Sequence, residues 1–339
     1  MRAQMILLAV VLSLAPVLGA QRGAAAPAVS VKTVTKVPLP SSESAMPIGG
    51  VMCDAEGNIY ARLLTATVSK ERMGVFRLPI EEITPEGRLA KTFRVADSSA
   101  VDIAGKHIFV SSEGIVYQMA ITPQGIYAIE FANDGSVKTE VKLEADLPSV
   151  QPWDLAVFKA GGYLLTGETG KGSHTPYTAV FDADGRLVRN VYEPEDEDAR
   201  RKAESGDQVY SPSSRGNRFV SQGAVAGGSD GNVYLLRGTS PTLVYVISPK
   251  GEVVRKLHID AGGTDFNPRG IESYAGQLAI GFNGPTPLVR VTDLEGNSIA
   301  NYTVSGQGHL DLACYGPQGL TFIASRAGER SYLLRASLR

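Results

Sequence analysis

The feature that most constrains this chain is a turn that keeps returning. Five stretches share one grammar, in which an aliphatic strand enters a turn of the Asp-Gly, Glu-Gly or Lys-Gly kind and leaves as a more polar, charge-bearing strand. They are VFRLPIEEITPEGRLAKTFRV from Val75, AIEFANDGSVKTEVKL from Ala128, AVFDADGRLVRNVY from Ala179, VYVISPKGEVVRKLHI from Val244 and VRVTDLEGNSIANYTV from Val289. Their turn glycines, Gly87, Gly135, Gly185, Gly251 and Gly296, follow one another at 48, 50, 66 and 45 residues. Glycine supplies the positive φ of a tight hairpin, and the apolar alternation on either side marks half-buried strands.

A second element interleaves with the first: a short strand, a Gly turn, and a strand rich in aliphatic or aromatic residues. Copies are VMCDAEGNIYARL at 51, LAVFKAGGYLLTG at 155, AVAGGSDGNVYLLRG at 224, IESYAGQLAIGF at 271 and LACYGPQGLTFIAS at 312, with a weaker one, VDIAGKHIFVSS, at 101. Each unit therefore holds two hairpins. Four antiparallel strands every ~40 to 50 residues is the signature of a β-propeller blade. The long spacing is accounted for by an insertion, residues 193–218, which reads as a solvated charged loop whose first half has the composition of a short helix.

The sixth unit is short of one strand, because after LACYGPQGLTFIAS only RSYLLRASLR remains. The stretch SVKTVTKVPLP, Ser30 to Pro40, has no hairpin partner of its own and resembles the outer strand SVKTEVKLEADLP from Ser136. The expected fold is thus all-β: a six-bladed β-propeller of four-stranded blades, closed by an N-terminal strand that completes the last blade. Closure removes the open sheet edges that invite aggregation. It also makes the two cysteines, Cys53 and Cys314, neighbours across the seam, either bridged or as two buried thiols that behave as small hydrophobes.

The first twenty residues, MRAQMILLAVVLSLAPVLGA, place one Arg before a short apolar run and end on small residues, as a secretory signal peptide does. The expected organisation is a signal peptide over 1–20, a flexible segment over 21–29 and one propeller domain over 30–339, secreted or periplasmic. No Cys follows VLGA to carry a lipid, and no later segment is apolar enough for a membrane span. A net charge of -2 without a basic stripe argues against nucleic acid as the partner.

The fragments MPIGGVMCDAEGNIYARL from Met46 and SQGAVAGGSDGNVYLLRGTSPTLVYVISPKGEVVRKLHI from Ser221 resemble the NHL-repeat and related six-bladed propellers. The resemblance covers nearly the whole chain after the leader, but its motifs specify turns and core, and fold does not imply function. The second unit departs from the pattern: it lacks the Asp-x-x-Gly-Asn turn, and EGIVYQMAITPQGIYAIEF has room for an extra or distorted strand.

The resemblance implies ligand binding at the channel mouth where blade-joining loops emerge. By repeat register, Gln151, Trp153, Asp154, Gln222, Arg269, His309 and Asp311 begin inner strands, and Glu168, His174 and Asn283 lie on or beside loops between second and third strands. Asp154 and Asp311 occupy matching positions of blades three and six, where they either face the channel to hold a cation or polar ligand, or cap their own loops. Trp153, the single Trp, either stacks on a ligand ring or covers the core. The four His, His107, His174, His258 and His309, occupy four different register positions, so only His174 and His309 are expected to reach one face, which argues against a zinc site of three or four convergent ligands. GETGKGSH, from Gly167, fails the phosphate-loop spacing, NYT at Asn301 is a formal glycosylation sequon, and no nucleophile elbow is present.

The first functional expectation is a non-catalytic, monomeric binding scaffold for a small molecule, glycan or protein, using Trp153, Asp154, Arg269, Asn283, His309 and Asp311. The alternative is a metal-assisted hydrolase or lactonase with Asp154, Asp311, Asn283 and Glu168 around a divalent cation. Against it, the stretch MPIGG carries no carboxylate where gluconolactonase-like enzymes bring a metal-binding Glu. A third expectation makes the acidic insertion at 193–218 the recognition element.

Overall fold

The computed structural model describes residues 28–31, 34–40, 45–64, 78–95, 108–147, 149–169, 175–193, 219–220, 223–238, 242–260, 266–284, 286–304, 309–325 and 330–338. The leader, the insertion beyond Glu193, Gln222 and His174 lie outside the described residues.

Six sheets stand around one axis. From the axis outwards, blade one is Met46–Cys53, Ile59–Leu64, Ile80–Ile83 and Leu89–Phe93. Blade two is Ile108–Val110, Val116–Thr122, Gly125–Phe131 and Val137–Leu143, and blade three is Gln151–Val157, Tyr163–Thr169, Thr175–Phe181 and Leu187–Asn190. Blade four is Val225–Gly227, Val233–Leu236, Leu243–Ile247 and Val253–His258, and blade five is Asn267–Tyr274, Gln277–Asn283, Leu288–Asp293 and Ser298–Thr303. Blade six takes His309–Gly316, Gly319–Ser325 and Tyr332–Ala336 from the end of the chain and Val34–Lys36 from its beginning. Inner strands of successive blades touch all the way round, six back to one. Among the described residues there is no helix, and hence none long and apolar enough to cross a membrane.

Middle strands are covered by a neighbouring blade on both faces and are mostly buried: all five residues of Leu243–Ile247 are apolar and buried. Outer strands see solvent on one side and alternate instead, as in Val253–His258. This is why the second element of the repeat reads as aliphatic first and charged afterwards.

The turn glycines dock each blade on the one before. Gly185 has φ of 82°, its carbonyl accepts from the Glu144 amide at 2.9 Å, and a Cβ added there would lie 2.0 Å from the Lys142 carbonyl oxygen of blade two's outer strand. A side chain is thus barred twice, by conformation and by contact. Blade one repeats the arrangement on the N-terminal strand: a Cβ on Gly87 would come within 2.3 Å of Pro38. The N-terminal segment occupies blade six's outer position in hydrogen bonding and in the way the next blade rests on it.

The N-terminus does one thing more. Before entering blade six, Ala28–Ser30 runs parallel to Ser298–Thr303 as a fifth strand of blade five, with Ala28 opposite Asn301 and the Val31 amide donating to the Thr303 carbonyl at 2.9 Å. Residues 28 and 29, expected to be flexible, thus belong to a sheet. Cys53 and Cys314 form a disulfide with Cα atoms 5.5 Å apart, joining the inner strands of blades one and six.

Blade two differs in detail from its sequence reading. Gly105 lies outside the described residues, and the turn that joins the blade's first two strands is at Ser111–Ile115, where Ser111 Oγ accepts from the Glu113 and Ile115 amides and Gly114 takes φ of 77°. Ser111 does here what Asp54 does in blade one, so EGIVYQMAITPQGIYAIEF holds ordinary second and third strands. Asp54 itself accepts from the Glu56 and Asn58 amides, from Asn58 Nδ2 and from the Tyr60 hydroxyl, which is the physical content of the Asp-x-x-Gly-Asn-x-Tyr motif. In blade four the carboxylate moves two places along: Asp230 accepts from Asn232 and Tyr234, and Gly228 stands at the position of Asp54.

Candidate functional site

The mouth of the channel where inner strands begin carries most of the residues singled out from sequence, and β-bulges aim two of them. In blade three the register shifts between Pro152 and Asp154, and in blade five between Pro268 and Gly270. The extra residues are Trp153 and Arg269, each following a Pro that cannot donate to the ladder. A bulged residue is turned out of the pleat, a device common beside binding sites. Trp153 is accordingly 41% exposed, so the reading in which it covers the core does not hold, and Arg269 is exposed as well.

Blade six has no Pro and no shift at this point, since His309, Leu310 and Asp311 pair regularly with Ser325, Ala324 and Ile323. With one residue between them, His309 and Asp311 share a face of the strand. His309 Nε2 lies 3.2 Å from Asp311 Oδ2. Asn283, ending the second strand of blade five, joins them across the blade boundary: its Nδ2 donates to Asp311 Oδ1 at 3.4 Å and lies 3.4 Å from His309 Nε2. Three of the six expected site residues therefore meet at one seam. They leave His309 Nδ1 and Asn283 Oδ1 without a role inside the cluster.

Asp154 goes elsewhere. It is 4% exposed, and its Oδ1 accepts from the Leu155 amide at 3.0 Å, the capping role set out as one of its two expectations. Glu168 is buried at the end of the strand opposite Gln151. Trp153 and Asp154 lie three blades away from His309 and Asp311. Among the described residues, no three His, Cys, Asp or Glu side chains are close enough to hold a metal ion.

A Cβ on Gly227 would lie 3.3 Å from Phe109 Cζ, so the Phe109 ring of blade two extends past blade three to the inner strand of blade four. Gly227 is the residue that leaves room for it, and Ser273 of blade five donates to the Gly227 carbonyl and holds that strand in place. Beyond Phe109, at the mouth where the first hairpin turns emerge, a cavity of 410 Å³ opens, lined by blades one to five. Sequence reading did not single out its residues. The signal was there in IESYAG, where Glu272 places a carboxylate directly after Ile271 at a buried position of an inner strand.

No protein-family model matches the sequence, and no curated protein matches it. Solved structures do resemble it in shape. Regucalcin from Agrobacterium tumefaciens, a calcium-binding protein, is 16% identical, with a TM-score of 0.51 over 91% of this chain and 95% of that one. A gluconolactonase from Xanthomonas campestris is 12% identical, with a TM-score of 0.50 over 92% and 98%. Virginiamycin B lyase from Staphylococcus aureus is 13% identical, with a TM-score of 0.49 over 87% and 82%. At these identities the shared property is the fold: the chain is a six-bladed β-propeller.

Proposed function

We propose that this protein is an exported, non-catalytic binding propeller that takes a polar ligand at the mouth where His309, Asp311 and Asn283 meet. The observation that carries the reading is that convergence. A half-exposed pair such as His309 and Asp311 contributes only about 0 to 1 kcal/mol to folding, so stability gives little reason to gather the three groups there. What they offer is an array of donors and acceptors at the channel mouth, with Arg269 on the adjoining strand and Trp153 across the ring. This suits a ligand rich in hydroxyl or amide groups, a glycan before an apolar molecule. Export rests on the leader-like residues 1–20 and fits a bridged cysteine pair, which persists in oxidising compartments.

The second reading, a metal-assisted hydrolase or lactonase, draws on the same cluster, since a carboxylate beside an imidazole is how a general base is oriented. It needs further oxygen ligands beside Asp311, and Asp154 and Glu168 are both buried on the far blade. One experiment separates the two. The chain from Gln21 is melted with Ca²⁺, Mg²⁺, Mn²⁺ or Zn²⁺, with and without chelator, and then with a panel of oligosaccharides. A ligand at 100 times its Kd adds about 2.7 kcal/mol to stability. A rise with a saccharide that disappears in His309→Ala and Asp311→Asn supports the binding reading, whereas a chelator-reversible rise with one ion favours the enzyme.

A further inference from the structure

At the far ends of the inner strands, we propose a second binding site, for an uncharged, flat, bicyclic aromatic molecule, in the 410 Å³ cavity capped by Phe109. The volume is within the range of about 300 to 1,000 Å³ typical of small-molecule sites, and an apolar cavity of about 150 Å³ already takes a benzene ring. There is room here for two fused rings. Cys53, Val157, Gly227 and Tyr274 line the cavity and each closes an inner strand, whereas His309 opens one. The inner end is apolar and fixed, because Phe109 is 4% exposed and rests on the side-chain-free Gly227, with Tyr117 at a ring distance of 6.4 Å. Tyr274 contributes a second aromatic wall and is held edge-on against Tyr315 at 5.9 Å, while the Tyr315 hydroxyl donates to Gln277. The buried Met52 and Phe158 and the half-buried Val157 and Leu294 add apolar surface between them.

The absence of charge on the ligand follows from how the polar groups of the lining are engaged. Asp54 accepts from two amides, from Asn58 Nδ2 and from the Tyr60 hydroxyl, so both its oxygens are committed to the turn. Glu272 has an interaction partner within the protein. Glu113 and Lys159 are of opposite sign and exposed on the first turns of the neighbouring blades two and three, where water screens them. An ion of either sign would therefore leave water for a wall with no charge reserved to receive it. A hydroxyl-rich ligand fares little better, since the Ser273 hydroxyl is spent on the Gly227 carbonyl. A neutral aromatic ligand gives up little hydration on entry and meets the Phe109 and Tyr274 rings, against which offset or edge-on contact adds to simple burial. This mouth is thus the chemical opposite of the one at His309, where donors and acceptors converge.

The test uses three probes of one shape. Binding of 2-naphthylmethanol to the whole mature chain would be measured by titration calorimetry beside its charged analogues 2-naphthylmethylammonium and 2-naphthoate. Expected is saturable binding of the alcohol, at least about tenfold tighter than either ion. Tyr274→Ala should weaken it at least about tenfold while Tyr274→Phe, which keeps the ring, stays within about threefold of the parent. Leu294→Trp, at a half-buried turn position, should abolish binding by filling the cavity even if Tyr274→Ala proves poorly folded. The comparison of the three probes on the parent needs no variant at all. Absent or non-saturable binding of the alcohol, an ion that binds as tightly, or binding that survives Leu294→Trp would each overturn the proposal. None of these results touches the saccharide reading, because none of His309, Asp311 and Asn283 lines the cavity.

Discussion

Blade three and blade six have the same strand order and nearly the same inner hairpin, yet one is made from a continuous run of chain and the other from both ends of it. In blade three the outer strand follows its neighbour after a short turn, Phe181 pairing with Leu187. In blade six the outer strand is Val34–Lys36, and its partner Ala336 lies about 300 residues away in sequence. Closing a loop of that length instead of a five-residue hairpin costs roughly 3 to 4 kcal/mol more in chain entropy. The disulfide across the same seam closes 261 residues and offsets a term of the same kind, roughly 5 kcal/mol at most. The comparison teaches that identical sheet geometry does not mean identical robustness: blade six needs a covalent tie and a strap where blade three needs only its turn.

The largest effect should come from removing the strap. Deleting residues 28–37 leaves Tyr332–Ala336 as a bare edge and takes from blade one the Pro38 neighbourhood on which its Gly87 turn rests. The expected outcome is a fall in Tm of more than about 10 °C, with aggregation through the open edge. A truncated chain that melts like the parent would show that closure by this strand is dispensable.

Next in size is the bridge. Cys53→Ser with Cys314→Ser should lower the unfolding free energy by about 3 to 5 kcal/mol in denaturant titration under oxidising conditions. The parent should show the same loss on reduction. A change below 1 kcal/mol would mean that the strap alone secures the seam.

The difference between the two blades can be sharpened with one substitution made twice. Gly185→Ala and Gly87→Ala impose the same backbone strain, at φ of 82° and 84°. In the first, the added Cβ meets a carbonyl of a continuous strand at 2.0 Å, and in the second it meets Pro38 of a terminal strap at 2.3 Å. Gly185→Ala should cost about 3 kcal/mol and Gly87→Ala roughly half of that, because the strap can shift away. Equal costs would show the strap to be as rigid as an interior strand.

The fold was legible in the sequence because a propeller repeats its turn chemistry, and a turn needing Gly at positive φ leaves a mark at fixed spacing. The missing sixth outer strand was legible for the same reason, since Ser30 to Pro40 copies a strand that has its partners. What escaped were features without a repeat. The parallel pairing of Ala28–Ser30 depends on three exposed residues with no pattern, and the turn at Ser111 uses a hydroxyl where blade one uses the Asp54 carboxylate and blade four has Gly228. At the site, the spacing of His309 and Asp311 put both on one strand face, and equal register put Asn283 beside the same mouth. Register could not tell that Asp154 would be covered while Asp311 stayed open, because burial there depends on neighbouring blades.

The smallest effect concerns Glu81, on the third strand of blade one beside the seam. Burial raises its carboxyl above the ordinary range, with the Arg94 charge acting the other way, and its Oε2 makes no hydrogen bond. A group whose folded pKa is raised keeps its proton in the folded state over a window just above the ordinary carboxylate range, where the unfolded chain has already lost it. Stability from this group is therefore present below the unfolded pKa and is lost as pH rises through the folded one. At neutral pH the carboxylate sits charged in a half-covered site. Glu81→Gln should then raise stability at pH 7 by roughly half a kcal/mol, partial solvent screening keeping the gain small. Its advantage over the parent should shrink as pH falls through that window. A substitution that destabilises at pH 7 would mean that the Arg94 attraction outweighs burial, and blade one's flank of the seam would then be held by charge as well as by the strap and the bridge.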